Sequence, residues 1–291
     1  MIDCNLSNQQ IDDIISLALA EDSAQGDITS ETLIPPRLEG QASILAKTEG
    51  VLAGGGVAER VFALVDPSLK VRLLTPDGAE VRPGEAVAVI SGVVLSILKG
   101  ERLALNFLSH LSGIATLTAR FIAETRGLGV KISDTRKTTP GLRLLEKYAV
   151  KTGGGQNHRF HLGEAVLVKD NHLTVLRAWG MSLRDIVLKA KEGAPRGLVV
   201  EVEVSTAEEA LEAAGGGADV IMLDNIGPDE MRRIRGLVGD DIRLEASGGI
   251  TLANVREVAG AGVDIISIGA LTHSVAALDF SLEFETELAK T

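Results

Sequence analysis

The sequence predicts an α/β protein in two parts: a first third that mixes helices with short strands, and a longer part built as an open, partial barrel of parallel strands. Two observations predict this fold. In the first third, short apolar strands are separated by the turn signals Asp77-Gly78 and Pro83-Gly84. Farther along, near-continuous apolar strands alternate with polar loops and helices rich in Ala and Glu, which is the pattern of a parallel sheet covered by helices.

The first third is predicted to begin and end with a helix. Ser7 and Gln10 have the spacing of a capping box, and the apolar residues from Ile11 to Leu19 follow at helical intervals. A long helix from about Gly100 to Thr125 ends at Gly127. Between the two helices the predicted strands are Ala42–Lys47, Val51–Ala53, Lys70–Leu74 and Ala86–Ser91.

The second part contains six predicted strands, too few for a complete eight-stranded barrel, which is why we expect an open one. These strands are Val130–Ser133, Ala165–Lys169, Leu198–Val204, Val220–Leu223, Arg243–Ala246 and Ile265–Ile268. The tail is too long for this repeat and is expected to pack back on the first part. The predicted domains are therefore 1–113 together with the tail 274–291, and 114–273.

Composition excludes several classes of protein. No apolar run in the 291 residues approaches the roughly 18 needed to span a membrane. The single cysteine, Cys4, excludes an internal disulfide and a cysteine-based metal site. The single cysteine and the acidic, polar start of the chain together predict a cytoplasmic protein. A net charge of −11 and few aromatic residues argue against nucleic acid as a partner.

A cationic segment interrupts this acidic chain. Between Arg126 and Arg177 there are ten Lys and Arg residues and only four Asp and Glu residues, which indicates a pocket for a small, highly charged anion. Arg143, Lys147 and Lys151 are spaced by four, and we interpret them as a solvated helix face. The others follow short strands or a glycine turn, where sheet and barrel enzymes carry their chemistry: Arg136, Lys137, Arg159 and Lys169.

Carboxylates follow or end two neighbouring strands. Glu201 and Glu203 lie in the strand EVEV and Asp224 ends the next strand, so all three are expected to reach the mouth of the barrel. Glu203 and Asp224 could hold a hydrated Mg²⁺, which is usually bound through one or two carboxylates and substrate phosphates. The alternative is that they form salt bridges with the cations.

Two glycine turns follow the last two strands, at Ser247-Gly248-Gly249 and at Ile268-Gly269-Ala270. Paired loops of this kind, with outward backbone N–H groups, form the phosphate site of many barrel enzymes. No GxSxG elbow and no SxxK motif is present, so the sequence offers no candidate for a covalent nucleophile. The five histidines have no zinc spacing, although His158 beside Arg159 could touch an anion.

Together these motifs resemble those of the quinolinate phosphoribosyltransferase family. The segments that carry the resemblance are ALAEDSAQGDIT, ERLALNFLSHLSGIAT, DTRKTTPGLRLLEKYAVKTGGGQNHR, LVKDNH, EVEV, MLDN, EASGGI and IGALTHS. The resemblance implies an N-terminal α/β sandwich joined to an open α/β barrel, as a homodimer. It also implies transfer of a phosphoribosyl group from phosphoribosyl pyrophosphate to quinolinate, with Mg²⁺. Decarboxylation then gives nicotinate mononucleotide, pyrophosphate and CO₂ in NAD biosynthesis.

The resemblance implies a role for each matching residue. Those around the quinolinate carboxylates are Arg102, Arg136, His158, Arg159 and Lys169, with Thr135 as a further substrate-binding residue. Lys137 and Lys169 face the pyrophosphate, Glu203 and Asp224 the metal and ribose, and these four are the implied catalytic residues. The 5′-phosphate would be held by Ser247, Gly248, Gly249, Ile268, Gly269 and Ala270. Arg102 belongs to the first part of the chain, so the resemblance implies that a partner subunit supplies it to a shared site.

Two alternatives compete with this interpretation. The first alternative, among enzymes, is a molybdenum-operon protein of the same fold. The intact Lys169 in KDNH favours the quinolinate enzyme over it. A non-catalytic anion-binding or carrier protein is the other, because PDGAEVRPGEAVAVISG resembles the hairpin of lipoyl and biotinyl carrier domains. That hairpin has Asp77-Gly78 at its turn and no lysine to modify, which argues against a carrier.

Overall fold

The computed structural model describes residues 8–23 and 26–285, which divide into two compact units. Unit 1 contains the described residues up to Ala119, together with Thr138–Gly154 and those from Leu271 onward. Unit 2 contains Arg120–Lys137 and Gly155–Ala270. The segment 138–154, which we assigned to the barrel domain, therefore clusters with unit 1. Cys4 and the predicted capping residue Ser7 lie outside the described residues.

Helices and strands alternate through most of the described chain. The helices, in chain order, are α1 Asn8–Ser23, α2 Ile28–Leu33, α3 Gly55–Val65, α4 Val94–Glu124, α5 Arg143–Thr152, α6 Asp170–Ala178, α7 Leu183–Gly193, α8 Ala207–Gly215, α9 Pro228–Val238, α10 Val255–Ala259 and α11 Ala270–His273. The strands are β1 Glu39–Ala46, β2 Gly50–Val51, β3 Lys70–Leu73, β4 Glu80–Val81, β5 Ala86–Val93, β6 Lys131–Ser133, β7 Val166–Val168, β8 Val200–Val204, β9 Val220–Asp224, β10 Arg243–Ser247, β11 Ile265–Ser267 and β12 Phe280–Phe284. None of the helices described is long and apolar enough to cross a membrane.

Unit 1 is built on an antiparallel sheet with the strand order β12-β1-β5-β3. Strand β12 pairs with β1 from Phe280 opposite Ala46 to Phe284 opposite Ala42, so this part of the predicted tail adds a strand to the sheet of unit 1. Alternate residues of β1 and β5 point into the core, where Ile44 is 1% exposed and Ile90 is fully buried. Helix α3 packs against β3 and α1.

Helix α4 differs from its prediction at the N-terminus. It begins at Val94, directly after β5 ends at Val93, and not near Gly100. The intervening run VVLSIL is apolar and contains no capping signal, and a short apolar run does not distinguish a strand from a helix. Arg102 therefore lies in the third turn of α4 and does not open the helix.

Helix α5 corrects the interpretation of Arg143, Lys147 and Lys151 as a solvated face at one position, Lys147, whereas Lys151 is exposed and Arg143 is half-buried. Lys147 is fully buried, and its neighbours from Leu145 to Val150 are buried as well. Beside it, the buried Glu146 lies 2.9 Å from Nε2 of His110 and accepts the backbone N–H of Thr139 at 3.1 Å. The helix therefore exposes Lys151 but not a row of three cations.

Unit 2 is built on a parallel sheet with the order β6-β11-β10-β9-β8-β7, and it contains all six strands that the sequence predicts. The α/β fold class with parallel strands is thereby confirmed. The first four residues of β9 are buried, as expected for a strand covered on both faces. A row of register partners crosses the carboxyl end of the sheet, from Asp224 through Ser247 and Ser267 to Ser133. The loops that follow these residues begin at the same edge.

Candidate active site

The loop after β6 is held by a buried aspartate. Asp134 is fully buried, and its carboxylate accepts the side-chain N–H of Asn157 at 2.7 Å and the backbone N–H of His158 at 2.9 Å. Next to it, the hydroxyl of Thr135 accepts the backbone N–H of Lys137 at 3.0 Å, which closes a local turn. These bonds join the loop after β6 to the segment that returns from the glycine run.

Arg136 and Arg159 lie close enough to repel one another. Burial lowers the pKa of Arg159, the Arg136 guanidinium lowers it further, and Glu201 acts in the opposite direction. The Arg159 side chain donates from Nη1 to the carbonyl of Ala165 at 2.9 Å, whereas its buried Nε has no hydrogen-bond partner in the described part of the chain. Two half-buried guanidiniums side by side favour a bound anion that carries more than one charge.

Glu203 is the second-last residue of β8 and Asp224 is the last residue of the neighbouring β9, and the two carboxylates interact electrostatically. Burial raises the pKa of Glu203, and the Asp224 carboxylate raises it further, while Lys169 and Lys137 act to lower it. Asp224 is held from its own loop, because the side-chain N–H of Asn225 donates to it at 2.9 Å. The structure therefore brings together the four residues that the sequence predicts as catalytic.

Lys169 is positioned by the start of helix α6. It follows β7, whose last residue Val168 pairs with Val202, so Lys169 lies beside the strand end that carries Glu203. The backbone N–H of Lys169 donates to Nδ1 of His172 at 2.9 Å, which holds Lys169 as the residue preceding the helix.

The glycine turn after β10 has a conformation that requires glycine. Gly248 and Gly249 have φ values of +90° and +62°. A Cβ at Gly248 would overlap the side-chain amide of Asn225, itself in the left-handed region with φ +55°. The backbone N–H of Asn225 also donates to the carbonyl of Ser247 at 2.9 Å. The loops after β9 and β10 therefore fit together.

The second glycine turn begins one strand away. The backbone N–H of Ile268 donates to the carbonyl of Ser133 at 2.9 Å, and Gly269 leads into Ala270, the first residue of α11. Because β11 pairs with β10, the two turns lie next to each other at the carboxyl edge of the sheet. This is the arrangement expected of a phosphate site.

Arg102 belongs to unit 1, where its side chain is on the exposed side of α4. Burial raises the pKa of the neighbouring Glu101, and the positive charge of Arg102 acts to lower it. The implied contribution of Arg102 to the site of a partner subunit stays a prediction.

Three buried acids near the site were missed or misplaced by the sequence analysis. Asp134 and Glu245 were not selected, and Glu201 was expected at the mouth although it is only 3% exposed. Nε2 of His158 lies 3.1 Å from Oε2 of Glu201 and 3.7 Å from Oε1 of Glu245. The motif EVEV does place both glutamates on one face, but it does not show that Glu201 lies one layer deeper than Glu203.

Comparisons with known proteins give a consistent result. The model of the quinolinate phosphoribosyl transferase C-terminal domain matches residues 114–283, and that of the N-terminal domain matches residues 27–112. The chain is 42% identical to a probable nicotinate-nucleotide pyrophosphorylase [carboxylating] of Bacillus subtilis, over 96% of this chain and 94% of that protein. It is 40% identical to the rat nicotinate-nucleotide pyrophosphorylase [carboxylating], over 93% and 91% of the two chains.

Solved structures agree with the sequence comparisons. The crystal structure of NadC from Streptococcus pyogenes superimposes with a TM-score of 0.91 at 40% identity, covering 97% of this chain and 99% of that one. A TM-score of this size over nearly the whole of both chains means that the two share their fold.

Proposed function

The chain belongs to the quinolinate phosphoribosyltransferase family, and we propose that the carboxyl edge of the unit 2 sheet is where it transfers a phosphoribosyl group to quinolinate. The products are nicotinate mononucleotide, pyrophosphate and CO₂, and the reaction belongs to NAD biosynthesis. The substrate that supplies the group is phosphoribosyl pyrophosphate.

The pair of guanidiniums at Arg136 and Arg159 is the observation that carries this proposal. Quinolinate has two adjacent carboxylates, and a dianion between these side chains offsets the burial of Arg159 and its repulsion by Arg136, which together lower the pKa of Arg159. It also offers an acceptor to the buried Nε of Arg159. Thr135, Lys169 and a partner's copy of Arg102 are the further side chains that we propose for the quinolinate site.

Phosphoribosyl pyrophosphate is proposed to lie across Glu203, Asp224 and the two glycine turns. Lys137 and Lys169 would face its pyrophosphate, and Ser247–Gly249 with Ile268–Ala270 its 5′-phosphate. This assignment is supported by the register of Asp224 with Ser247, which puts the carboxylate and the first turn side by side.

Glu203 and Asp224 fit a magnesium ion by the chemistry of their donors. Both offer carboxylate oxygens, and the two negative charges are close enough that Asp224 raises the pKa of Glu203. Mg²⁺ bound there would neutralise charge on the departing pyrophosphate. The electrostatic effect of Lys137 and Lys169 on Glu203 is also compatible with ion pairs in the absence of substrate.

The proposed chemistry requires no covalent intermediate with the protein. Departure of pyrophosphate leaves a cationic ribosyl centre, which the ring nitrogen of quinolinate attacks. Loss of CO₂ from the carboxylate next to the ring nitrogen leaves the electron pair of the broken bond on the ring carbon, where the positive nitrogen stabilises it. A proton from water then takes the place of the carboxylate. The side chains supply position and charge: cations for the carboxylates and pyrophosphate, and carboxylates beside the ribosyl centre.

The test is an assay of the purified protein with quinolinate, phosphoribosyl pyrophosphate and Mg²⁺. We expect nicotinate mononucleotide and CO₂ in equal amounts, and we expect nicotinate, which has a single carboxylate, to be a much poorer acceptor. Equal use of nicotinate would contradict the role of the guanidinium pair. A homodimer with shared sites and a cytoplasmic location remain predictions beside this proposal.

A further inference from the structure

Both ring nitrogens of His158 are engaged by the protein. Nδ1 lies 2.9 Å from the backbone nitrogen of Arg159. Nε2 lies 3.1 Å from Oε2 of Glu201 and 3.7 Å from Oε1 of Glu245. The His158 side chain is 14% exposed, and those of the two glutamates are 4% and 2% exposed. This environment leaves no ring N–H directed at a substrate.

The hydrogen bonds determine which nitrogen carries the proton. The backbone N–H of Arg159 can only donate, so Nδ1 must accept it. The proton of the neutral ring is then on Nε2, where Glu201 accepts it. A histidine that bound a quinolinate carboxylate would have to donate from the same Nε2–H that Glu201 already uses.

The two glutamates reach His158 from strands that are not neighbours. Glu201 is on β8 and Glu245 on β10, with β9 between them, so their strand axes are about 9 to 10 Å apart. Their carboxylates nevertheless converge on one nitrogen, and Ser267 of β11 donates to Glu245. Burial, and then the Glu201 carboxylate, raise the pKa of Glu245 to about 7. A protonated Glu245 can donate to Glu201, and the pair then acts as one anchor.

We infer that His158, Glu201 and Glu245 are positioning residues for Arg159, and that His158 itself does not contact quinolinate. This inference rests on the proposed function of Arg159. The anchor on β8 and β10 holds the imidazole, the imidazole holds the backbone of Arg159, and the carbonyl of Ala165 holds its guanidinium. The cation that faces the substrate is thereby fixed at both ends.

A cation site at the same three residues is the alternative occupant. The donor atoms of His158, Glu201 and Glu245 lie within 4.8 Å of one another, close enough to share an ion. A metal on Nε2, however, requires the proton on Nδ1, where it would be directed at the N–H of Arg159. The position of the ring proton therefore decides between the two uses of this cluster.

The first test is to observe that proton directly. Nitrogen-15 spectra of the full-length protein labelled at histidine, with His158 assigned from a His158→Asn variant, report the tautomer of the ring. We expect the neutral Nε2–H form in metal-free protein, with added Zn²⁺, and with quinolinate at a concentration that calorimetry shows to be saturating. A change to the Nδ1–H form with Zn²⁺, or to imidazolium with quinolinate, overturns the inference. The metal-free spectrum requires no turnover, so this result is independent of the proposed activity.

The second test separates positioning from direct binding. His158→Asn keeps an acceptor near Nδ1 and loses the bond to Glu201, whereas His158→Gln keeps a donor near Nε2 and loses the bond to Arg159. We expect each to raise the Kd of quinolinate by about tenfold, and to add less than about twofold when Arg159 is already alanine. A further tenfold loss in the Arg159→Ala background would mean that His158 binds the substrate itself, and would overturn the inference.

Glu245 provides a matched pair of variants for the buried anchor. In Glu245→Gln an amide N–H replaces the carboxyl proton, and we expect the Nε2–H tautomer to persist with the Kd of quinolinate within about threefold of wild type. Glu245→Leu has a similar size and no donor, and we expect it to weaken binding by about tenfold. Equal losses in the two variants would show that the hydrogen bond of Glu245 has no role.

Discussion

Asp224 and Ser247 are register partners at the carboxyl ends of β9 and β10. The backbone and side chain of Asn225 connect them, since its N–H donates to the Ser247 carbonyl and its amide donates to the Asp224 carboxylate, both at 2.9 Å. A shift of the glycine turn would therefore move the carboxylate as well. This coupling makes the turn a sensitive place to test the phosphoribosyl pyrophosphate site.

Gly248→Ala is expected to weaken phosphoribosyl pyrophosphate binding more than Gly249→Ala does. Both residues have positive φ, but only a Cβ at Gly248 would overlap Asn225, whereas a Cβ at Gly249 has nothing within 4 Å. We expect the KM for phosphoribosyl pyrophosphate to rise about tenfold or more in Gly248→Ala. Steady-state kinetics of both variants measure this, and equal increases would show that backbone strain alone is responsible.

Arg159→Ala is expected to lower kcat/KM for quinolinate by roughly 10- to 150-fold, the equivalent of about 1.5–3 kcal/mol for a charge-assisted hydrogen bond. Arg136→Ala and Lys169→Ala are expected to do the same. Arg177→Ala is the control within the cationic segment, because the exposed Arg177 of α6 pairs with Glu209 of α8 and not with any of the proposed site residues. Loss of activity in the control, or wild-type turnover in Arg159→Ala, would contradict the assignment of Arg159 to the quinolinate site.

Much of the fold could be predicted because its strands are short apolar runs between glycine and polar turns. The six parallel strands followed from that pattern, whereas the strand β12 in the tail was not predicted. The start of α4 could not be predicted, because β5 continues into the helix without a cap or a turn residue. Lys147 was misjudged because the four-residue spacing of the cations describes one face of α5 and not what covers it.

The candidate site was predictable where a residue type alone indicates chemistry. Cations after strands and glycine turns were identified in this way, and their positions in unit 2 are consistent with the prediction. Asp134 and Glu245 were missed because a buried acid depends on partners far along the chain. Glu245 meets His158 only after the sheet has formed, which no local pattern records.

Mg²⁺ removal is expected to abolish the activity of the wild-type protein. Glu203→Gln and Asp224→Asn, which keep shape and remove charge, are expected to raise the KM for phosphoribosyl pyrophosphate or lower kcat by about tenfold or more. Glu230→Gln is the control, since Glu230 forms an exposed pair with Arg233 on α9. If EDTA leaves the activity of the wild type intact, the metal part of the proposal is wrong.

Glu245 is expected to make the stability of the protein depend on pH. Its ordinary pKa of 4.5 is raised to about 7 by burial and by Glu201, while the hydrogen bond from Ser267 acts in the opposite direction. The folded protein therefore binds more protons than the unfolded chain between these values. The stabilisation is complete below pH 4.5 and is lost as the pH rises through about 7.

Urea unfolding of wild type and Glu245→Gln at pH 5 and pH 8 measures this contribution. At roughly 1.4 kcal/mol per pKa unit, the free energy of unfolding of the wild type should fall, relative to the variant, by at most about 3 kcal/mol. Groups that do not interact with Glu245 titrate alike in both proteins, so the difference reports on Glu245 together with its electrostatic partner Glu201. Parallel pH profiles would mean that Glu245 is not protonated in the folded protein.

Mixing Arg102→Ala with Lys169→Ala tests whether the site is shared between subunits. Arg102 is an exposed residue of unit 1, and Lys169 belongs to unit 2. If a partner supplies Arg102, each variant alone has a defect in every site. A mixed dimer combines both defects in one site and leaves the other with neither.

At equal amounts and with random exchange, about half of the dimers are mixed, so we expect roughly a quarter of the wild-type activity per subunit to return. Subunit exchange is followed separately with labelled protein. Exchange without recovery would mean that Arg102 acts within its own chain or outside the site.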